Sequence, residues 1–209
     1  MIRHAKYLSL AATALALTAC GKPTDGASSG ANSSGAAPSC LSRAYPNIGG
    51  PIDLIDHTGT QVTEETYKGR TSILYFGFTY CPDVCPLTLI RLKQAYTALP
   101  EGMDAPQTLL VSVDPDRDTP EKLAAYISSD AFPEQLSGLT GSSDQVRAAA
   151  DAFIADFSKV EDPESSAEYT MDHTTLLYVM DEDWKLKTFF THEDTPEDIS
   201  ACLTALFNE

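Results

Sequence analysis

Residues 72–78 read Ser-Ile-Leu-Tyr-Phe-Gly-Phe, a nearly continuous apolar run rich in β-forming side chains. Such a run predicts a central strand buried on both faces. Residues 108–113 and 174–180 have the same character and predict two more buried strands. Between the first two, Leu89, Leu92, Tyr96 and Leu99 recur in steps of three and four, so residues 87–99 are predicted helical. Thr119-Pro120-Glu121 supplies a hydroxyl N-cap, a proline at the first helical position and an acid near the positive end of the dipole. That helix is expected to reach about Ser129. Ser142 with Gln145 predicts a capping box opening a helix over 146–153. Thr195-Pro196-Glu197-Asp198 opens the last helix, with Ile199, Cys202, Leu203 and Leu206 on one face. Two hairpins complete the pattern: 52–56 with 61–63 across the His57 turn, and 174–180 with 187–190 across Asp181-Glu182-Asp183.

Alternating buried strands and capped helices predict an α/β domain. Strand, helix, strand, helix, then strand, strand and a final helix is the thioredoxin order. The expected fold is therefore thioredoxin-like, with an N-terminal hairpin and an extra helix inserted before the third buried strand.

The beginning of the chain has a different character. Arg3, His4 and Lys6 precede a short apolar run over 8–17, followed by Leu17-Thr18-Ala19-Cys20. Small residues before a cut mark a secretory signal, and the cysteine directly after them resembles a bacterial lipobox. Residues 1–19 are expected to be a signal peptide, with lipid on Cys20. Residues 20–44 are expected to be a Gly/Ser/Ala-rich flexible tether, with a coil span of about 25 Å. Residues 45–209 would form the single domain. The formal charge of −16 becomes −18 once Arg3 and Lys6 leave with the signal. That balance argues against nucleic acid and against an anionic lipid face, and suits an envelope domain or one with a basic partner. With Cys20 lipidated, Cys40, Cys81, Cys85 and Cys202 remain of the five cysteines. An oxidising envelope and an even remainder invite the pairs Cys81/Cys85 and Cys40/Cys202; the alternative leaves Cys40 and Cys202 as unrelated single cysteines.

The chemistry concentrates at the junction of the first buried strand and its helix, Tyr80-Cys81-Pro82-Asp83-Val84-Cys85-Pro86. On a helix, positions i and i+4 share a face with Cβ atoms about 5–6 Å apart. A helix N-terminus also favours the thiolate, which is both nucleophile and metal ligand. Two thiolates could share a metal, or the turn could tighten into a disulfide, so geometry alone leaves both open. Packing alone is the bland reading of two cysteines, and the flanking prolines argue against it. A third ligand would decide. His57 sits in a hairpin turn and His192 in a surface loop, whereas His173 stands directly before the third buried strand, beside the active-site turn in a thioredoxin fold. Two thiolates and one imidazole form a soft, three-donor set, and structural zinc normally takes four protein ligands, so the set leans toward copper.

These motifs resemble the Sco/SenC family. The similarity runs through residues 75–86, through Ser112-Val113-Asp114-Pro115-Asp116-Arg117-Asp118-Thr119-Pro120, through Leu139-Thr140-Gly141 and through Asp172-His173-Thr174. The resemblance implies a thioredoxin fold binding copper, as Cu(I) with Cu(II) as a second state, through Cys81, Cys85 and His173. It implies copper delivery to, or thiol reduction at, the CuA centre of cytochrome c oxidase. The partner would be the oxidase copper-site subunit or another envelope cuproprotein, with the domain lipid-anchored in the bacterial cell envelope, in the periplasm or outside the cytoplasmic membrane. The competing expectation is a metal-independent thiol–disulfide oxidoreductase or peroxiredoxin-like enzyme using Cys81 and Cys85 as a redox-active pair. Residues 114–118 should lie on the rim of the site, as a solvated turn with an N-cap or as a docking or proton-handling loop.

Overall fold

The computed structural model describes residues 40, 45–164 and 167–207. The expected signal peptide, the Cys20 lipid site and the tether other than Cys40 lie outside these residues. The elements are β1 (Asp53–Asp56), β2 (Gln61–Thr63), a one-turn 3-10 helix (Glu64–Thr66), β3 (Ser72–Gly77), α1 (Val84–Thr97), β4 (Gln107–Ser112), α2 (Pro120–Ile127), β5 (Leu136–Thr140), α3 (Ser143–Ala152), β6 (Phe157–Glu161), β7 (Tyr169–His173), β8 (Leu177–Met180), β9 (Leu186–Phe190) and α4 (Pro196–Phe207). Seven strands make one mixed sheet in the order β2-β1-β5-β4-β3-β8-β9, and β6 pairs with β7 alone.

β3 organises the sheet. It runs parallel to β4 and antiparallel to β8, and all six of its residues are buried. Strand alternation sends Leu74 and Phe76 to one face. There Phe76 meets Phe153 and Tyr178 edge-on, with centroids 5.9 and 6.1 Å apart. Ile73, Tyr75 and Gly77 take the other face, under α1, where Cys85 lies against Tyr75 and Gly77. α4 packs beside α1 on this side. The helix starts are fixed locally: the Thr119 hydroxyl accepts from Lys122 N, and Ser142 and Gln145 bond reciprocally at 2.9 and 3.2 Å.

The α/β class, the thioredoxin-like core and the N-terminal hairpin β1–β2 follow the sequence expectation. Three details differ. The insertion is larger than one helix, because α2 is followed by β5, which joins the sheet between β1 and β4. Gly138 makes β5 read as a loop, yet it lets the strand approach Leu123 of α2, where a Cβ would meet the Leu123 Cβ at 3.0 Å. Second, α1 begins at Val84 rather than at residue 87, so Cys85 lies in its first turn and Cys81 precedes it. The shared helical face is therefore not what aligns the two sulfurs. Pro86 occupies the third helical position, where a backbone donor has no intrahelical partner, so its ring removes no bond. Third, the last buried run begins at Leu177 rather than Thr174. Residues 174–176 have no regular structure, and His173 ends β7, in a hairpin the sequence reading did not anticipate.

Cys40 is joined to Cys202 of α4 by a disulfide with Cα atoms 4.8 Å apart. It closes a loop of 162 residues and ties the domain's start to its last helix.

Candidate metal centre

Three elements bring the donor atoms together. The β3–α1 turn supplies Cys81, whose amide donates to the Phe78 carbonyl at 3.3 Å. The first turn of α1 supplies Cys85, and its amide donates to the Cys81 sulfur at 3.3 Å. The end of β7 supplies His173, whose Nε2 lies 3.8 Å from the Cys85 sulfur. One ligand atom from each residue lies within 4.8 Å of the others, and among the described residues this is the group able to hold a metal ion. His57 lies in the β1–β2 turn and His192 in the β9–α4 loop, apart from this group. Cys81 and Cys85 are free thiols, with Cys85 fully buried and Cys81 retaining 9% exposure.

The imidazole is oriented as a ligand. Its Nδ1 lies 3.0 Å from the Thr174 carbonyl. A proton on Nδ1 satisfies that carbonyl and leaves the Nε2 lone pair facing the sulfurs. Tyr75 and Phe78 hold the ring edge-on, with centroids 6.1 and 5.7 Å away. Thr174 N donates to the Asp156 carbonyl at 2.9 Å, which fixes the exit from β7.

The two thiols are unequal. The hydrogen bond from Cys85 lowers the Cys81 thiol most; burial opposes this, and the Cys85 and Asp83 amides assist. The same shared proton, together with burial, pushes the Cys85 thiol up. The first proton therefore leaves Cys81, the more exposed sulfur, at the positive end of α1. This arrangement can do two kinds of chemistry. It can attack a disulfide through Cys81, or it can present two sulfurs and a nitrogen to one soft ion. The Cys85 sulfur and His173 Nε2 are 3.8 Å apart and no donor atom lies more than 4.8 Å from another, a spread that one soft ion could bridge.

The rim segment 114–118 is a turn whose tip at Asp116 is exposed but whose ends are buried. Asp114 and Asp118 are 3% and 0% exposed, and the expected Thr119 N-cap is present. Asp118 accepts from Thr79 N at 3.0 Å, from the Thr79 hydroxyl at 2.5 Å and from the Ser112 hydroxyl at 2.6 Å. It thereby anchors the cysteine turn to the end of β4. Asp114 accepts from Arg117 Nε and from the Tyr169 hydroxyl. The Arg117 guanidinium stacks between Tyr80 and Tyr169, 4.5 and 3.6 Å from their ring centroids. Its Nη1 donates to the Ala167 and Tyr169 carbonyls at 3.1 and 3.0 Å. Arg117 thus links the turn that carries the cysteines to the hairpin that carries His173. Sequence reasoning missed this bracing, because a run of alternating charges has the local signature of a wet surface loop.

Comparison with known proteins gives a consistent result. The family model described as SCO1/SenC matches residues 42–208. Protein SenC of Rhodobacter capsulatus is 36% identical over 157 residues, covering 75% of this chain and 69% of its own. Protein sco1 of Schizosaccharomyces pombe is 34% identical over 165 residues, covering 78% and 62%. The chain spans 42–62% of the length of the first curated relatives it matches. The crystal structure of Arabidopsis thaliana ScoI with copper bound superposes with a TM-score of 0.72 at 32% identity, over 77% of this chain and 98% of that one.

Proposed function

The chain belongs to the SCO1/SenC family, and from that premise we propose that it is a copper-binding assembly factor for the CuA site of cytochrome c oxidase. One Cu(I) would be held by Cys81, Cys85 and His173. The observation that carries this reading is the convergence of two thiols and an oriented imidazole within 4.8 Å of one another, brought in by three separate elements. A family relative crystallised with copper supports the choice of metal. The chain would act in the bacterial cell envelope, anchored to a membrane by lipid on Cys20. Its partner would be the oxidase copper-site subunit or another envelope cuproprotein.

A second reading has its own observation. The low-lying Cys81 thiol beside a buried Cys85 is the arrangement of an attacking and a resolving cysteine, which fits thiol reduction at a recipient protein. Two measurements separate the readings. The purified, reduced protein should take up one Cu(I) per chain under anaerobic conditions and release it when Cys81 and Cys85 are oxidised. In cells lacking the wild-type protein at limiting copper, His173→Ala should fail to support oxidase assembly, as Cys85→Ser should. Near-normal oxidase activity with His173→Ala, alongside none with Cys85→Ser, would overturn copper delivery and favour the reductase.

A further inference from the structure

Tyr75 is fully buried in β3, and its hydroxyl lies 3.5 Å from the Cys85 sulfur. A buried phenol needs an acceptor, and the quality of that acceptor depends on the state of the sulfur. The unbridged Cys85 sulfur accepts this bond, and a copper-bound thiolate would accept it more strongly. In a disulfide the Cys85 sulfur must move toward Cys81, away from the position in which it meets the phenol. The contact is built into the fold. Gly77 leaves room for the sulfur, since a Cβ there would meet it at 3.1 Å, and Tyr75 is held between β4 and β8.

We propose that Tyr75 is a positioning residue of this centre, whose hydroxyl favours the unbridged Cys85 sulfur, as a thiol or bound to copper, over the Cys81–Cys85 disulfide. The copper half rests on the copper-binding reading above; the redox half does not. The redox step is exchange with glutathione. Two glutathione thiols give two electrons and two protons to the Cys81–Cys85 disulfide; its S–S bond breaks and one glutathione disulfide forms. Tyr75 exchanges no electron or proton. It weights the equilibrium by bonding to the product sulfur.

Tyr75→Phe keeps the ring and deletes only the donor. Tyr178→Phe is the matched control. Tyr178 is a buried tyrosine on the neighbouring β8, and its hydroxyl has no hydrogen-bond partner among the described residues. The three proteins are equilibrated in glutathione buffers of defined ratio, and the reduced fraction is read by thiol trapping. The expected result is an exchange constant shifted about tenfold toward the disulfide in Tyr75→Phe, ~30 mV lower in potential, with Tyr178→Phe at the wild-type value. A Tyr75→Phe shift no larger than that of Tyr178→Phe overturns the redox half. Competition against a Cu(I) chelator should show affinity reduced severalfold in Tyr75→Phe alone, and equal affinities overturn the copper half. A wild-type protein that takes up no Cu(I) overturns the copper-binding reading itself, and the glutathione comparison still decides the role of Tyr75.

Discussion

Gly77 is the place where one added methyl group tests the site most directly. A Cβ on Gly77 would stand 2.9 Å from the Tyr75 ring, 3.0 Å from Leu110 Cδ1 and 3.1 Å from the Cys85 sulfur. Those three neighbours are fully buried, so none can move into solvent to relieve the contact. The backbone at Gly77 is not in the left-handed region, so the penalty is one of packing rather than of dihedral strain. Overfilling a tight core costs about 1–3 kcal/mol, and the lower entropy of an unfolded alanine returns ~0.4–1 kcal/mol. A net destabilisation of about 1–2 kcal/mol follows for Gly77→Ala, read as a lower denaturation midpoint at unchanged slope. The Cys85 sulfur is one of the three groups that must give way. It should therefore move relative to Cys81 and His173, and Cu(I) affinity should fall along with stability. Leu110→Ala, which opens space in the same layer, should restore part of the affinity when combined with Gly77→Ala. Wild-type stability together with wild-type Cu(I) affinity in Gly77→Ala would refute the claim that this glycine makes room for the sulfur.

Arg117→Lys loses both the stacking between Tyr80 and Tyr169 and the fork to the hairpin carbonyls. Faster hydrogen exchange in β6–β7 and weaker Cu(I) binding are expected, with the exchange of the β3–β4 core unchanged. The depressed Cys81 thiol should react with iodoacetamide at pH values well below the ordinary thiol range, and Cys85 should not. A group whose folded-state pKa is lowered stabilises the fold fully above its unfolded value, and that contribution disappears as pH falls through the folded value. The reduced protein should accordingly lose stability on acidification through this window, to a degree that Cys81→Ser does not share. Cys202→Ser removes a cross-link closing 162 residues, and a loss of a few kcal/mol is expected in chemical denaturation of the otherwise oxidised protein.

The features legible in the sequence have local causes. β3 and β4 declare themselves by runs that only a two-sided core accepts, and α2 and α3 by caps whose hydroxyls act within a few residues. Cys81 and Cys85 stand out because a strand-to-helix corner is a poor place for cysteines that only pack. His173 is legible only from its place directly before the third buried strand and from the family resemblance, whereas the hairpin that delivers it and the bracing depend on partners distant along the chain. In β6 and β7 no residue is fully buried, so no hydrophobic period betrays the hairpin that delivers His173. Its position is set by Arg117, about fifty residues earlier, which reaches the Ala167 and Tyr169 carbonyls. Asp114 and Asp118 read as wet because their neighbours in sequence are charged, yet their partners are Arg117, Tyr169, Ser112 and Thr79. A buried carboxylate survives only where enough donors converge on it. Here those donors belong to the cysteine turn, the end of β4 and the histidine hairpin, the parts whose mutual distance fixes the geometry of the centre. The charge-rich segment after β4 therefore works as the brace of the site: it holds two segments, neither part of the seven-stranded sheet, at the spacing one soft ion requires.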